Sequence, residues 1–406
     1  MIRYLFVGLQ YNKKLEKEYL YLCKHGLSAA SNEFQWNLCD GFIQCVGRNF
    51  EILTALPVGC FPRHYQKAYL ESTTWDYRGS SVSEISSWNF PVLKQLTREY
   101  KCAVFLQKWI DESPEDQHVV IIYSLYLPYL KAIQKIKKRN KAMRGFVIVP
   151  DLPGKYGILP SNPIRAQVAA RLGYRALKLA ESLDGYVVLT EKMTHPLRIF
   201  DKPYVVVEGI CNQRQASIPS IPGMSANDEK HSILYAGTLH RQFGIMTLLE
   251  AFNGLKSDTE LWICGAGDCE AEVRAAAEKD KRIRFFGYIS SDEVDKLRSQ
   301  ATVLVNPRPN EGEYTKYSFP SKTMGYMASG KLVVMNKLAG IPNEYDEYLL
   351  YPRDNSAEAL ANTLEEALAM SCEDRRMMGE KARKFVLENK NAVVQARRIL
   401  EMINEF

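Results

Sequence analysis

The residues best suited to chemistry sit in one stretch of the chain. Ser321 and Lys322 open a short helical segment behind Phe319-Pro320, after a polar loop carrying Arg308, Glu311, Glu313 and Lys316. A hydroxyl, a full positive charge and the first N–H groups of a helix are the groups that hold phosphate oxygens. Ser318 and Thr323 add hydroxyls on either side. Asp151 is a second candidate. It follows the buried-strand run Gly145-Phe-Val-Ile-Val-Pro150, which puts it at a strand's carboxyl end, where parallel sheets collect ligands. There it either binds an acceptor hydroxyl or caps the turn through its own backbone. None of the six histidines forms a spaced pair for a metal or a triad, and no DxD element is present for a divalent ion.

Positioning these groups needs alternating strands and helices. In residues 1–205, strand-like runs at Ile2–Val7, Ile52–Leu56, Cys102–Leu106, Val119–Tyr123, Gly145–Pro150 and Gly185–Thr190 alternate with helical spacing at Leu27–Leu38, Leu127–Lys141 and Ala166–Ser182. Residues 231–370 repeat the style. Strands are expected at Ser232–Gly237, Glu260–Gly265, Arg282–Gly287, Thr302–Val305 and from Leu332, with helices at Met246–Leu255 and after Gly267. Ser290-Ser-Asp-Glu293 has the spacing of a capping box, and Gly330 stops the helix that Ser321 opens. The expected fold is α/β with two Rossmann-like domains, since 406 residues exceed one ordinary core.

Composition narrows the class. With 46% hydrophobic and 25% charged residues the chain is a soluble globular type. Nine dispersed cysteines without CxxC pairs fit a reducing cytoplasm. The first residues lead straight into a strand, so no signal peptide is expected, and Val119–Leu130 is far short of the ~20 apolar residues a spanning helix needs. The net charge of +6 is modest, but Lys131, Lys135, Lys137, Lys138, Arg139, Lys141 and Arg144 crowd one segment, 131–144. It reads either as a surface for anionic lipid or as a solvated helix face. No aromatic platform accompanies it, which argues against nucleic acid.

The stretch Phe319-Pro-Ser-Lys-Thr-Met-Gly-Tyr-Met-Ala-Ser-Gly-Lys331 resembles the nucleotide-sugar loop of family-4 glycosyltransferases, in a bacterial branch that reads roughly F-P-S-K-x-x-E-Y-M-A-S-G-K. The resemblance implies the glycosyltransferase B (GT-B) fold, in which the two domains face each other across a cleft. The expected division is an acceptor domain at 1–208, a breaker-rich linker at 209–230, a donor domain at 231–385 and a terminal helix at 386–406 that crosses back. It implies that Tyr235–Phe252 grips the donor diphosphate, with Gly237, Thr238 and Arg241 in contact. Thr238 stands where the family has an arginine and Phe243 near its lysine, which leaves Arg241 as the local cation. Gly265 and Gly267 match the family's glycine turn, Tyr288 a position lining the base, and Gly26 and Ser28 the opening glycine loop of the first domain. Two glutamates usually bracket the donor loop; here Gly325 replaces the later one and Tyr317 the earlier, with Glu311 and Glu313 nearby in shifted register.

The resemblance further implies a retaining sugar transfer that uses Asp151, Arg241 and Lys322, without metal or cofactor. The expected donor is a nucleoside-diphosphate sugar and the acceptor a glycan or lipid-linked hydroxyl. The expected setting is surface polysaccharide or glycolipid assembly, in the cytoplasm and peripherally on the inner face of the plasma membrane. A non-catalytic relative that binds glycan or stabilises a partner is the alternative, because of Gly325 and the missing Arg–Lys pair.

Overall fold

The computed structural model describes residues 1–24, 26–153, 163–211, 231–255 and 258–405. They fall into two compact units, Met1–Ile210 with Ala392–Phe406, and Cys211–Asn391. Of the expected linker, 212–230 lies outside the described residues, as does His25 of the first glycine loop.

The strands of the first unit are β1 (Ile2–Gly8), β2 (Phe50–Thr54), β3 (Tyr69–Leu70), β4 (Thr74–Tyr77), β5 (Ser80–Glu84), β6 (Ser87–Trp88), β7 (Gln117–Tyr123), β8 (Arg144–Val149), β9 (Gly185–Val188) and β10 (Tyr204–Val206). Eight of them form one sheet in the order β10-β9-β8-β7-β1-β2-β5-β4, parallel except for the β4–β5 hairpin at its edge. One face carries Tyr4, Phe6, Ile52, Ile121 and Ile148. It packs on Trp36, Leu38 and Phe42 of helix Ala29–Val46 and on Ala396 and Ile399 of helix Ala392–Asn404. Gly41 lets these two helices touch, since a Cβ there would run into the Ala392 carbonyl. The alternate residues Leu5, Val7, Leu53, Val120, Ile122 and Val147 are buried as well, so the other face is covered too. Right-handed crossovers place helices Pro91–Asp111, Leu127–Arg139 and Pro163–Ala180 there.

The Cys102–Leu106 run is not a strand. It lies inside helix Pro91–Asp111, where Arg98, Cys102, Leu106, Trp109 and Ile110 are buried at helical spacing while Val104 points to solvent. Five apolar residues in a row satisfy both periods, and only the wider window separates them. The small β3–β6 ribbon and the β4–β5 hairpin have no counterpart in the sequence reading.

The second unit holds β11 (His231–Ala236), β12 (Thr259–Cys264), β13 (Ile283–Gly287), β14 (Val303–Asn306) and β15 (Leu332–Met335), all parallel in the order β13-β12-β11-β14-β15. One face packs on Leu248 and Phe252 of helix Ile245–Asn253, Val273 of helix Glu270–Lys279, and Leu360 and Leu364 of helix Ala357–Ala369. The other packs on Met324 and Met327 of helix Lys322–Ala328 and on Ala382 and Val386 of helix Cys372–Asn389. Because Val386 sits in this core, the second unit runs on to Asn391, past the expected boundary at 385. The Ser290 capping box forms as its spacing requires.

Candidate functional site

In the second unit the strand order reverses between β11 and β14. The loops leaving their carboxyl ends diverge there, and a ligand finds a crevice with backbone on both sides. Lys322 projects into this place. Its ammonium lies 4.0 Å from the centre of the Tyr235 ring at the end of β11. Gly237 makes the room, because a Cβ added there would run into the ammonium. Burial, then the nearby charges of Arg308 and Arg298, push the Lys322 pKa down to about 7. No carboxylate partners this lysine among the described residues.

Arg308, just past β14, is the second cation. Its guanidinium lies over the Phe243 ring at 5.3 Å and the Tyr314 ring at 5.2 Å, and it donates to Ser318 Oγ at 3.2 Å. Its Nε is buried without a partner. Arg298 adds a third charge from helix Ser291–Gln300, partly balanced by Asp295 at 2.8 Å. The Nδ2 of Asn306, the last residue of β14, is likewise buried and unpartnered. Unmatched donors gathered in one place are a site made for an anion, which would restore what burial has removed.

The remaining expected residues divide. Ser321 is exposed at the head of the seven-residue helix Lys322–Ala328, and its side chain makes no capping bond. Thr238 is exposed, and its carbonyl accepts from the Tyr235 hydroxyl at 2.7 Å. Arg241 is exposed on a turn of 3-10 helix and donates to Glu272 at 2.9 Å. Tyr288 is 84% exposed beyond Gly287, whose φ is +67°. Glu311 accepts from Asn355 at 3.4 Å, and Glu313 accepts from the Tyr317 hydroxyl at 2.8 Å.

Two expectations change, and one residue lies where expected. Thr323 is a core residue, fully buried with its hydroxyl on the Met335 sulfur at 3.7 Å, because the helix turns it inward. Gly265 and Gly267 approach protein backbone. A Cβ on either would strike the carbonyl of Gly237 or Leu239, so these glycines pack one loop against another. Gly325 is buried within helix Lys322–Ala328.

Gly26, Ser28 and Asp151 belong to the first unit. Gly26 is exposed at φ +75°, and Ser28 precedes helix Ala29–Val46 without a side-chain capping bond. Asp151 is exposed beyond β8. Burial first, with the Asp151 charge adding, raises the Tyr123 pKa to about 12, and Tyr123 accepts from Ser31 Oγ at 3.2 Å.

Arg308, Arg298 and Asn306 are the residues that sequence reasoning missed. Arg308 was visible as a loop cation, but nothing local says that it stacks on Phe243.

Residues 230–370 match the family described as glycosyl transferases group 1. A search of curated proteins finds no match to the chain. Among solved structures, sucrose-phosphate synthase from Thermosynechococcus elongatus is similar at 15% identity and a TM-score of 0.66, over 99% of this chain and 98% of that one. A glycosyltransferase from Rickettsia africae gives the same values. The lipopolysaccharide outer core galactosyltransferase WaaB is similar at 14% identity and a TM-score of 0.61, over 100% and 99%. The chain therefore has the GT-B fold with its two Rossmann-like units, and its second unit matches the group 1 glycosyl transferases.

Proposed function

We propose that this protein is a retaining glycosyltransferase. It moves a sugar from a nucleoside-diphosphate donor to a hydroxyl of a glycan or lipid-linked acceptor. The observation that carries the reading is the half-buried Lys322, whose ammonium has no acidic partner among the described residues, beside Arg308 at the β11/β14 switch point. As the bond to the anomeric carbon breaks, negative charge grows on the departing diphosphate, and fixed cations stabilise that change most. In this reading Lys322 and Arg308 supply the charge, Ser321 adds a hydroxyl, and no metal takes part. Asp151 receives the acceptor hydroxyl in the first unit. The setting is surface polysaccharide or glycolipid assembly at the inner face of the plasma membrane, with 131–144 as the contact. A screen of nucleotide sugars by thermal shift, followed by release of nucleoside diphosphate, tests this. Binding with turnover supports it, and absence of binding to every donor removes it. Full turnover by Asp151→Asn removes that residue from the mechanism.

A second reading is a non-catalytic member of the same fold that binds donor or glycan without transfer. Gly325 in place of the motif glutamate favours it, together with the engagement of Glu313 by Tyr317 and of Glu311 by Asn355. Binding without turnover in the same screen selects it.

A further inference from the structure

Helix Pro91–Asp111 buries Cys102, Leu106, Trp109 and Ile110 and should present a polar outer face. Instead Val92, Leu96, Tyr100 and Val104 are each at least half exposed, and their spacing of four aligns them in one stripe. Helix Pro163–Ala180 repeats the pattern. Val168, Leu172 and Tyr174 are open to solvent, only Ala176 and Ala180 are buried, and the helix contains no Asp or Glu. Between these two, and in contact with both, lies helix Leu127–Arg139.

The cations on this face are of two kinds. Lys131 pairs with Glu99 at 2.9 Å and Lys137 with Asp184 at 2.6 Å, so both fasten the fold. Lys135, Lys138, Arg139 and Lys141, with Arg171, Arg175 and Lys178 of the next helix, are exposed and have no carboxylate partner among the described residues. Stripe and free cations adjoin directly. Tyr100, Val104, Lys135 and Arg139 line one groove of about 550 Å³ together with Asp111 and Glu112, the latter paired with Lys108 at 3.7 Å.

We propose that this face docks on an anionic lipid bilayer. The apolar stripes of helices Pro91–Asp111 and Pro163–Ala180 enter the interfacial layer, and the unpaired cations meet the headgroups. Charge selects this occupant over a second copy, since two such faces repel each other. The proposal extends the membrane setting of the function proposed above, and it does not depend on donor binding.

Co-sedimentation with vesicles of phosphatidylcholine mixed with phosphatidylglycerol, against phosphatidylcholine alone, tests it. Binding is expected only to the mixed vesicles, with weakening as salt rises. Replacing Lys135, Lys138 and Arg139 together by Ala should lower partition roughly a hundredfold, at about fivefold per cation. Leu96→Ser with Tyr100→Ser should lower it at least tenfold. Lys131→Ala, which removes a paired cation, should change it far less. The variants of the exposed residues should keep the wild-type thermal midpoint, Lys131→Ala should lower it slightly, and all should keep the wild-type response to uridine diphosphate. Equal partition onto neutral vesicles, absence of partition, or dimerisation that these substitutions abolish would overturn the proposal. Loss of nucleotide binding with vesicle binding intact would strike the proposed function and leave this surface standing.

Discussion

The two units each have a switch point in their sheet, and the two are built from opposite chemistry. In the first unit the loop leaving β1 is held by neutral side chains. Gln35 accepts from Leu9 N and donates to Leu9 O, both at 2.8 Å, Thr54 Oγ1 bonds the backbone of Gln10 at 2.9 Å, and Asn32 accepts from Tyr11 N at 2.8 Å. Tyr129 donates to the Gly8 carbonyl at 2.9 Å. The protein answers its own backbone there. In the second unit the corresponding place receives Lys322 from the start of a helix and Arg308 from a loop, neither with a carboxylate partner among the described residues, and Arg298 from a helix, where Asp295 pairs with it. A strand-order reversal thus carries a neutral, self-bonded loop in one unit and a cluster of cations in the other, where we propose that an anion binds. The lesson is that the switch point supplies only the crevice, and the balance of donors and acceptors within it decides whether a ligand is needed.

Substitutions that unbalance either side should separate the two roles. Gln35→Leu leaves both half-buried Leu9 backbone groups without their side-chain partner, at a cost of about 1–2 kcal/mol. Urea unfolding should register the loss, while the affinity of the intact protein for uridine diphosphate stays the same. A parallel loss of affinity would mean that the first switch point is also part of the binding chemistry. Arg308→Leu keeps the packing on Phe243 and Tyr314 but removes a charge, so diphosphate affinity should fall roughly tenfold to a hundredfold by calorimetry, with little change in stability. Gly325→Glu restores the absent acceptor for ribose hydroxyls and should tighten nucleotide-sugar binding about tenfold. Unchanged affinity would show that position 325 does not face the ribose. Arg241→Ala should do least, within about threefold, because its exposed pair with Glu272 is worth little. A larger loss would return Arg241 to the centre of the site.

The second unit was far more legible in the sequence than the first. Three of its strands are short apolar runs closed by Gly237, Gly265 and Gly287, and Gly330 stops a helix, so element ends and loops announce themselves. Lys322 was singled out because it sits in a recognisable motif. Arg308 and Arg298 were not, because their charges reach Lys322 from elements separate in the chain, and Thr323 was misplaced because a hydroxyl at a helix start gives no sign of which way it points. In the first unit, helix Pro91–Asp111 was mistaken for a strand over Cys102–Leu106. Its outer stripe of Val92, Leu96, Tyr100 and Val104 blurs the apolar periodicity from which a helix is read. The feature that obscured the sequence signal is the one on which the proposed lipid-facing surface rests.

The most direct test of the central claim is Lys322→Met, followed by both stability and diphosphate binding. The folded pKa of Lys322 is near 7, below its ordinary 10.5, so the unfolded chain holds more protons between those values. Stability of the free protein should therefore rise with pH from about 7 towards 10.5, and the penalty of the buried charge is fully present below about 7. Lys322→Met should stabilise the free protein at pH 7 by about 1–3 kcal/mol, allowing for partial solvent screening, and abolish the pH slope. In calorimetry at the same pH, wild type should bind uridine or guanosine diphosphate with uptake of protons, and the variant should bind at least a hundredfold more weakly. A variant that is less stable than wild type yet binds either diphosphate equally well would contradict the account.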